Sequence, residues 1–206
     1  MKRLLVGDKT MRNMLDNLKK YRIILASNSP RRKELLAGLG VDYEVRVLPD
    51  IDESYPDGLP GVEILQYISR KKAEAYEAAM QPDELIVTAD TIVWADEKVL
   101  GKPRNEDEAK DMLRRLSGRT HQVITGVTLA TAGKKKTFAA VSEVTFDELS
   151  DEEIAYYVAH YRPLDKAGAY GIQEWIGYVG VSSLNGSYFN VMGLPVQRLY
   201  KELKTL

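Results

Sequence analysis

The chain has 206 residues, 44% of them hydrophobic and 29% charged, enough for one large domain or two small lobes of ordinary globular makeup. A formal net charge of −1 excludes a global field for nucleic acid, so an anion site must be built locally. With no cysteine and two histidines, disulfides, cysteine-ligated metals and a histidine-rich metal site are excluded, and Mg²⁺ or Mn²⁺ held by carboxylates and substrate phosphates is the metal to expect.

No apolar run approaches the roughly 18 residues that span a bilayer, and residues 1–8 hold too short an apolar stretch for a secretory signal. The expected setting is the cytoplasm, with neither membrane nor nucleic acid as partner. Residues 1–20 are charged and weakly periodic and read as an N-terminal extension to a domain at 21–206. Within them, residues 1–13 are either a flexible extension or the product of a start site upstream of Met14.

The first convincing element runs from Ile23 through Ser27-Asn28-Ser29-Pro30-Arg31-Arg32. It predicts strand, tight turn and helix, with Ser29 as N-cap and Pro30 at the first helical position, where no N–H is needed. Arg31 and Arg32 then fall in the first helical turn, where the macrodipole favours anions over cations. Free N–H groups, serine hydroxyls and two guanidinium forks suit phosphate. The plain alternative is a capped helix with solvated arginines.

Residues 43–47 alternate like a strand. The loop at 49–61 is rich in Pro, Gly and acids, among them Asp50, Asp52 and Glu53, which either face water or gather round a cation. A helix is predicted over 62–80, carrying Lys71 and Lys72. Residues 85–94 form the most apolar run, and Asp90 lies inside it. A carboxylate in a central strand is costly unless paired, so metal binding or proton transfer leads the reading, ahead of a satisfied structural Asp. A short returning strand is predicted from Lys98, after a turn at Asp96-Glu97. Gly101 there lets a ligand approach and Lys102 suits a phosphate.

Asn105 caps a helix to about Leu116. Residues 120–132 and 136–146 read as a hairpin joined by Gly133-Lys134-Lys135, and Ser150 with Glu153 as a capping box opening a helix to about His160. A glycine-rich segment at 165–173 follows, then strand and turn over 179–191, then a last helix with Val196, Leu199, Tyr200 and Leu203 on one face. Alternating strands and helices with one inserted hairpin predict a mixed-sheet α/β fold. The Ser27–Arg32 turn, the Asp90 strand and the 165–173 segment are the parts expected to meet in one cleft.

Seven short motifs stand in order along the chain: Leu25-Ala26-Ser27-Asn28-Ser29-Pro30-Arg31-Arg32, Lys72-Ala73, Ala89-Asp90-Thr91, Gly101-Lys102-Pro103, Leu116-Ser117-Gly118-Arg119-Thr120-His121, Asp165 to Tyr170 with Ile172-Gln173, and Val191-Met192-Gly193-Leu194-Pro195. Each alone is weak. Together they make the chain resemble the Maf family of nucleoside triphosphate pyrophosphatases, from about Ile23 to the last helix. The resemblance implies an elongated, mixed-sheet, two-lobed α/β fold like that of the inosine triphosphate pyrophosphatases, with the nucleotide between the lobes. It also implies hydrolysis of a nucleoside triphosphate to the monophosphate and pyrophosphate with a divalent cation, Mg²⁺ or Mn²⁺. Asp90 matches the family's proton acceptor. Arg31, Thr91 and Gln173 match the positions of substrate choice and resemble the branch acting on dTTP and UTP. The 7-methyl-GTP branch has Trp, Gln and Glu there.

On this reading Ser27, Ser29, Arg32, Lys72 and Lys102 neutralise and orient the triphosphate. Asp90, with Glu53, binds the metal, or Asp90 accepts a proton from water. Arg119 and Lys166 either bind phosphate or pair with Asp165, and His121 is structural. Two other functions stay open: a nucleotide-binding regulator of septum formation and a 7-methyl-GTP pyrophosphatase. A modified pyrimidine nucleotide as a further substrate and a homodimer as the assembly are both compatible with this reading.

Overall fold

A computed structural model describes residues 14–206; the extension expected over 1–13 lies outside the described residues. The frame is β3 (Glu84–Ala95), the apolar run that contains Asp90, paired antiparallel with β5 (Thr120–Thr131) from Ile86↔Ala130 to Trp94↔Gln122. β5 returns as β6 (Lys134–Phe146), and β7 (Val181–Asn185) pairs along the far side of β6. The hairpin turns at Ala132-Gly133, so Lys134 and Lys135 are strand residues rather than the turn expected of them.

The other edge of β3 is divided. β1 (Arg22–Leu25) runs parallel to residues 84–87, and β4 (Lys98–Leu100) runs antiparallel to residues 93–95. Residues 88–92 lie between the two with no neighbouring strand on that edge. β2 (Glu44–Val45) flanks β1 as a two-residue strand, shorter than the alternation suggests, because both its residues are exposed and neither face has a core to meet.

One face of the sheet carries α2 (Gly61–Glu77). Ile64, Leu65 and Ile68 pack with Ile92 and Ile124, and Ala73 and Tyr76 with Ile24 and Ile86. The helix sits close because Gly126 lies beneath it: a Cβ there would fall 2.3 Å from the Leu65 carbonyl oxygen. Hydroxyls fix its rotation, Thr88 donating to the Ser69 carbonyl at 2.6 Å and Ser69 lying 3.1 Å from the Thr128 hydroxyl.

On the opposite face the apolar stripe of β3 breaks at Thr91. Leu85, Val87 and Ala89 join α1 (Pro30–Ala37) and α7 (Val196–Leu203) through Leu36, Leu199 and Leu203. Val93 and Ala95 join α3 (Glu106–Leu116) and α4 (Asp151–Tyr161) through Leu113, Leu116, Tyr157 and Val158. Two cores on one continuous set of long strands give the two-lobed α/β architecture. The caps are as expected, with Asn105 accepting from the Glu108 N–H at 2.8 Å and Ser150 with Glu153 forming a capping box.

Two five-residue helices flank β7: α5 (Trp175–Val179) in a stretch for which no element was expected, and α6 (Tyr188–Met192) within the 179–191 stretch expected as strand and turn. Residues 14–20 are docked. Leu18 is buried in the α1–α7 core, and the Asn17 amide donates to the Leu203 carbonyl at 2.8 Å. No helix among the described residues is long and apolar enough to cross a membrane.

Candidate active site

The break along the β3 edge opens a cleft of about 690 Å³, lined by the start of α1, residues 89–93 of β3, Gly101 and Lys102, the 165–173 segment and Gly193. The three segments expected to converge do so.

Asp90 points towards α2, where Lys72 Nζ lies 2.7 Å from each of its carboxylate oxygens. Only Oδ1 is aligned for a hydrogen bond, and Oδ2 is buried without one. The same ammonium lies 2.7 Å from Glu53 Oε1. Lys72, expected on phosphate, is therefore the counter-ion of two carboxylates. Asp52 is drawn aside by Lys71 at 2.6 Å and by the Ser54 N–H, so of the three loop acids only Glu53 touches the Lys72–Asp90 pair. No group of three or more His, Cys, Asp or Glu side chains converges among the described residues. Two carboxylates sharing one cation are a donor set for a hard divalent ion that completes its shell on substrate phosphates, not for an all-protein cage.

At the start of α1, Ser29 Oγ accepts the Arg32 N–H at 3.4 Å, and Ser27 Oγ accepts the Ser29 N–H at 3.2 Å. These bonds use hydroxyl oxygens and leave the O–H hydrogens to donate. The Arg32 side chain folds inwards, with Nε donating to the Gly193 carbonyl at 2.9 Å and Nη2 to Thr91 Oγ1 at 3.1 Å. Thr91 in turn lies 2.9 Å from the Thr125 hydroxyl, its partner across β5, and Thr125 donates to the Asn190 carbonyl. Burial lowers the Arg32 pKa and the charges of Asp90 and Glu53 pull it back, so the guanidinium stays cationic. Thr91 thus brackets Arg32, a contact that its expected part in substrate choice did not foretell.

Arg31 crosses the cleft, Nη1 donating to Asp165 Oδ2 at 2.9 Å. Burial would raise the Asp165 carboxyl, but hydrogen bonds from Lys166 and Arg31 outweigh it and hold the pKa at about 2. Lys166 lies 2.8 Å from Asp165 Oδ1 and 3.0 Å from Glu174 Oε1, so of its two open readings the ion pair with Asp165 is the one seen. Arg119 does neither: it bonds Asp96 at 3.3 Å, outside the cleft lining. Lys102 lines the cleft and forms no ion pair among the described residues. Gln173 lines it too, its Oε1 buried without a partner. His121 is buried, with Nε2 2.8 Å from the Tyr170 hydroxyl and Phe146 edge-on. Sequence reasoning missed Thr125, Asn190, Glu174 and Tyr157. Only Glu174 had a signal, as an acid beside the Ile172-Gln173 motif.

Fold and cleft define a class of α/β protein in which arginine and lysine side chains gather over a carboxylate pair at the waist of the sheet. Residues 22–206 match the family model described as Maf-like protein, and the chain belongs to that family. It is 68% identical over 193 residues to the dTTP/UTP pyrophosphatase of Phocaeicola vulgatus, covering 94% of this chain and all of the relative. Over the same shares it is 66% identical to that of Bacteroides thetaiotaomicron. Identity to the dTTP/UTP pyrophosphatase of Flavobacterium johnsoniae is 49% over 191 residues, 93% of this chain and 98% of the relative. A solved HAM1 protein from Coxiella burnetii, 18% identical, covers 90% of this chain and all of its own at a TM-score of 0.44, a likeness too loose to bear on function.

Proposed function

We propose that the protein hydrolyses nucleoside triphosphates, dTTP and UTP above others, to the monophosphate and pyrophosphate. The observation that carries this is Asp90 at the floor of a cleft whose lining includes Arg31, Arg32, Lys72 and Lys102. The dTTP/UTP pyrophosphatase name borne by relatives 62–68% identical over nearly the whole chain supports it.

In the reaction a water oxygen forms a bond to phosphorus, the bond linking the α- and β-phosphoryl groups breaks, and its electron pair leaves with pyrophosphate. Arg32, Lys102 and the Ser27 and Ser29 hydroxyls hold the phosphates, and Lys72 exchanges its carboxylate partners for a phosphate oxygen. Asp90 takes the water's proton, or shares with Glu53 the holding of Mg²⁺ or Mn²⁺, which when bound supplies charge neutralisation at the phosphoryl oxygens. Arg31, Thr91 and Gln173 choose the base, with Thr91 acting through Arg32. The orphaned Gln173 side-chain oxygen suits the N3–H of uracil or thymine while its amide donates to O4. Glu at that position would only accept.

A pyrophosphate-release assay over UTP, dTTP, CTP, GTP, ATP and 7-methyl-GTP with Mg²⁺ or Mn²⁺ tests this. UTP and dTTP should lead in kcat/KM, and Gln173→Glu should erode their lead. Asp90→Asn should fold and lose roughly a thousandfold in kcat. Equal rates on all nucleotides, or a lead for 7-methyl-GTP, would overturn the base assignment. Binding without pyrophosphate release would point instead to a regulator of septum formation.

A further inference from the structure

Arg31 and Gln173 both line the cleft, and one chain of polar contacts joins Arg31 to the residue after Gln173. Behind the cleft wall, Glu174 Oε2 accepts from the Tyr157 hydroxyl, and that hydroxyl accepts the Gly171 N–H at 3.0 Å. The other Glu174 oxygen lies 3.0 Å from Lys166 Nζ, which lies 2.8 Å from Asp165 Oδ1. Asp165 Oδ2 then receives Arg31 at 2.9 Å. The signs alternate from Arg31 through Asp165 and Lys166 to Glu174, so the chain carries no net charge.

Its far end is fixed. Tyr157 has no solvent exposure and sits in the α3–α4 core, so the anchor belongs to the rigid part of the fold. Burial, reinforced by Glu174, raises the phenol's pKa, so the phenol keeps its proton and donates the hydrogen bond to Glu174. The loop is shaped for this contact. A Cβ at Gly171 would fall 2.9 Å from the Glu174 carboxyl carbon, so only glycine leaves the carboxylate its place. Neither Tyr157 nor Glu174 lines the cleft.

We propose that Glu174 and Tyr157 are positioning residues that hold the 165–173 segment, and with it Gln173 and Arg31, in the geometry that reads the pyrimidine base. The proposal rests on the base reading given above. A site that selects by hydrogen bonds loses selectivity when its donors and acceptors drift from register.

The test is steady-state kinetics of folded Tyr157→Phe and Glu174→Gln with UTP and CTP. Each should raise KM for UTP roughly tenfold, keep kcat within about threefold, and cut the UTP-to-CTP ratio of kcat/KM roughly tenfold. Tyr157→Phe removes a single oxygen and carries the test alone if Glu174→Gln does not fold. A variant with the wild-type KM and ratio, or with a fall in kcat alone, overturns the proposal. A wild type without preference for UTP would overturn the base reading instead, and a KM rise in the variants would still uphold the anchoring.

Discussion

Burial leaves His121 one polar contact, with Tyr170, and pulls its pKa from 6.5 down to about 4. Between those values the unfolded chain binds a proton that the folded chain does not. Stability is therefore fully present above pH 6.5 and is lost as the pH falls towards 4, by on the order of 3 kcal/mol. Thermal melts should slope downward through that window, and the slope should be shallower in His121→Gln. Equal slopes would show that His121 does not drive it. Asp165 titrates lower still: its depressed pKa of about 2 places its loss of stabilisation below the ordinary carboxylate value of 3.8, outside the His121 window.

Site chemistry at this scale was legible where a residue stood against its surroundings. Asp90 in an apolar strand and two arginines at a helix start both lie in the cleft. The same rule applied to Glu84, at the first position of that strand, would have misled. Its carboxylate is fully buried, but Arg22 at 2.6 Å and Arg46 at 2.7 Å satisfy it away from the cleft lining. A buried carboxylate shows that a partner exists, not which kind.

Among the elements, α2 decides where Lys72 stands, and Gly126 decides how close α2 comes. Gly126→Ala would place its methyl against the Leu65 backbone, which cannot turn aside. Overpacking of this kind should cost about 3 kcal/mol. Because Lys72 lies two turns along the same helix, turnover should fall with stability. Denaturant unfolding and the pyrophosphate assay check both; a variant with wild-type stability and rate would show that α2 is free to shift. The helices with caps and several turns, and the long strands, were all readable from periodicity. α5 and α6 were not, since five residues are too few to reveal a 3.6-residue period. Ser69 and Tyr76 on α2 also escaped, because their burial depends on hydroxyl partners, Thr128 for one and the Arg46 carbonyl for the other, that lie on other elements.

At the scale of the molecule, the sequence drew its N-terminal boundary at residue 21, whereas Asn17 and Leu18 already belong to the packed body. A chain starting at Met14 should melt and turn over like the full chain. One starting at Tyr21 loses the Leu18 side chain from the core and should be about 2 kcal/mol less stable. Melting curves of the three chains decide it: a drop already at Met14 would mean that residues 1–13 contribute. Convergence of three segments on one cleft was foreseeable from their chemistry. That the cleft is a break along one edge of β3 was not, because strand partners are chosen by packing across the whole sheet.

That break has a consequence for any change of substrate. On its other edge β3 is matched to β5 from Ile86 to Trp94 without interruption, so the wall bearing Asp90 is held by one ladder that serves both cores. Arg31 and Gln173 line the cleft beside a segment tied down by Asp165, Lys166 and Glu174. Of the three residues proposed to choose the base, Arg31 and Gln173 lie off that wall and Thr91 lies on it beside Asp90, so a change of nucleotide made at the first two leaves the carboxylate wall as it was.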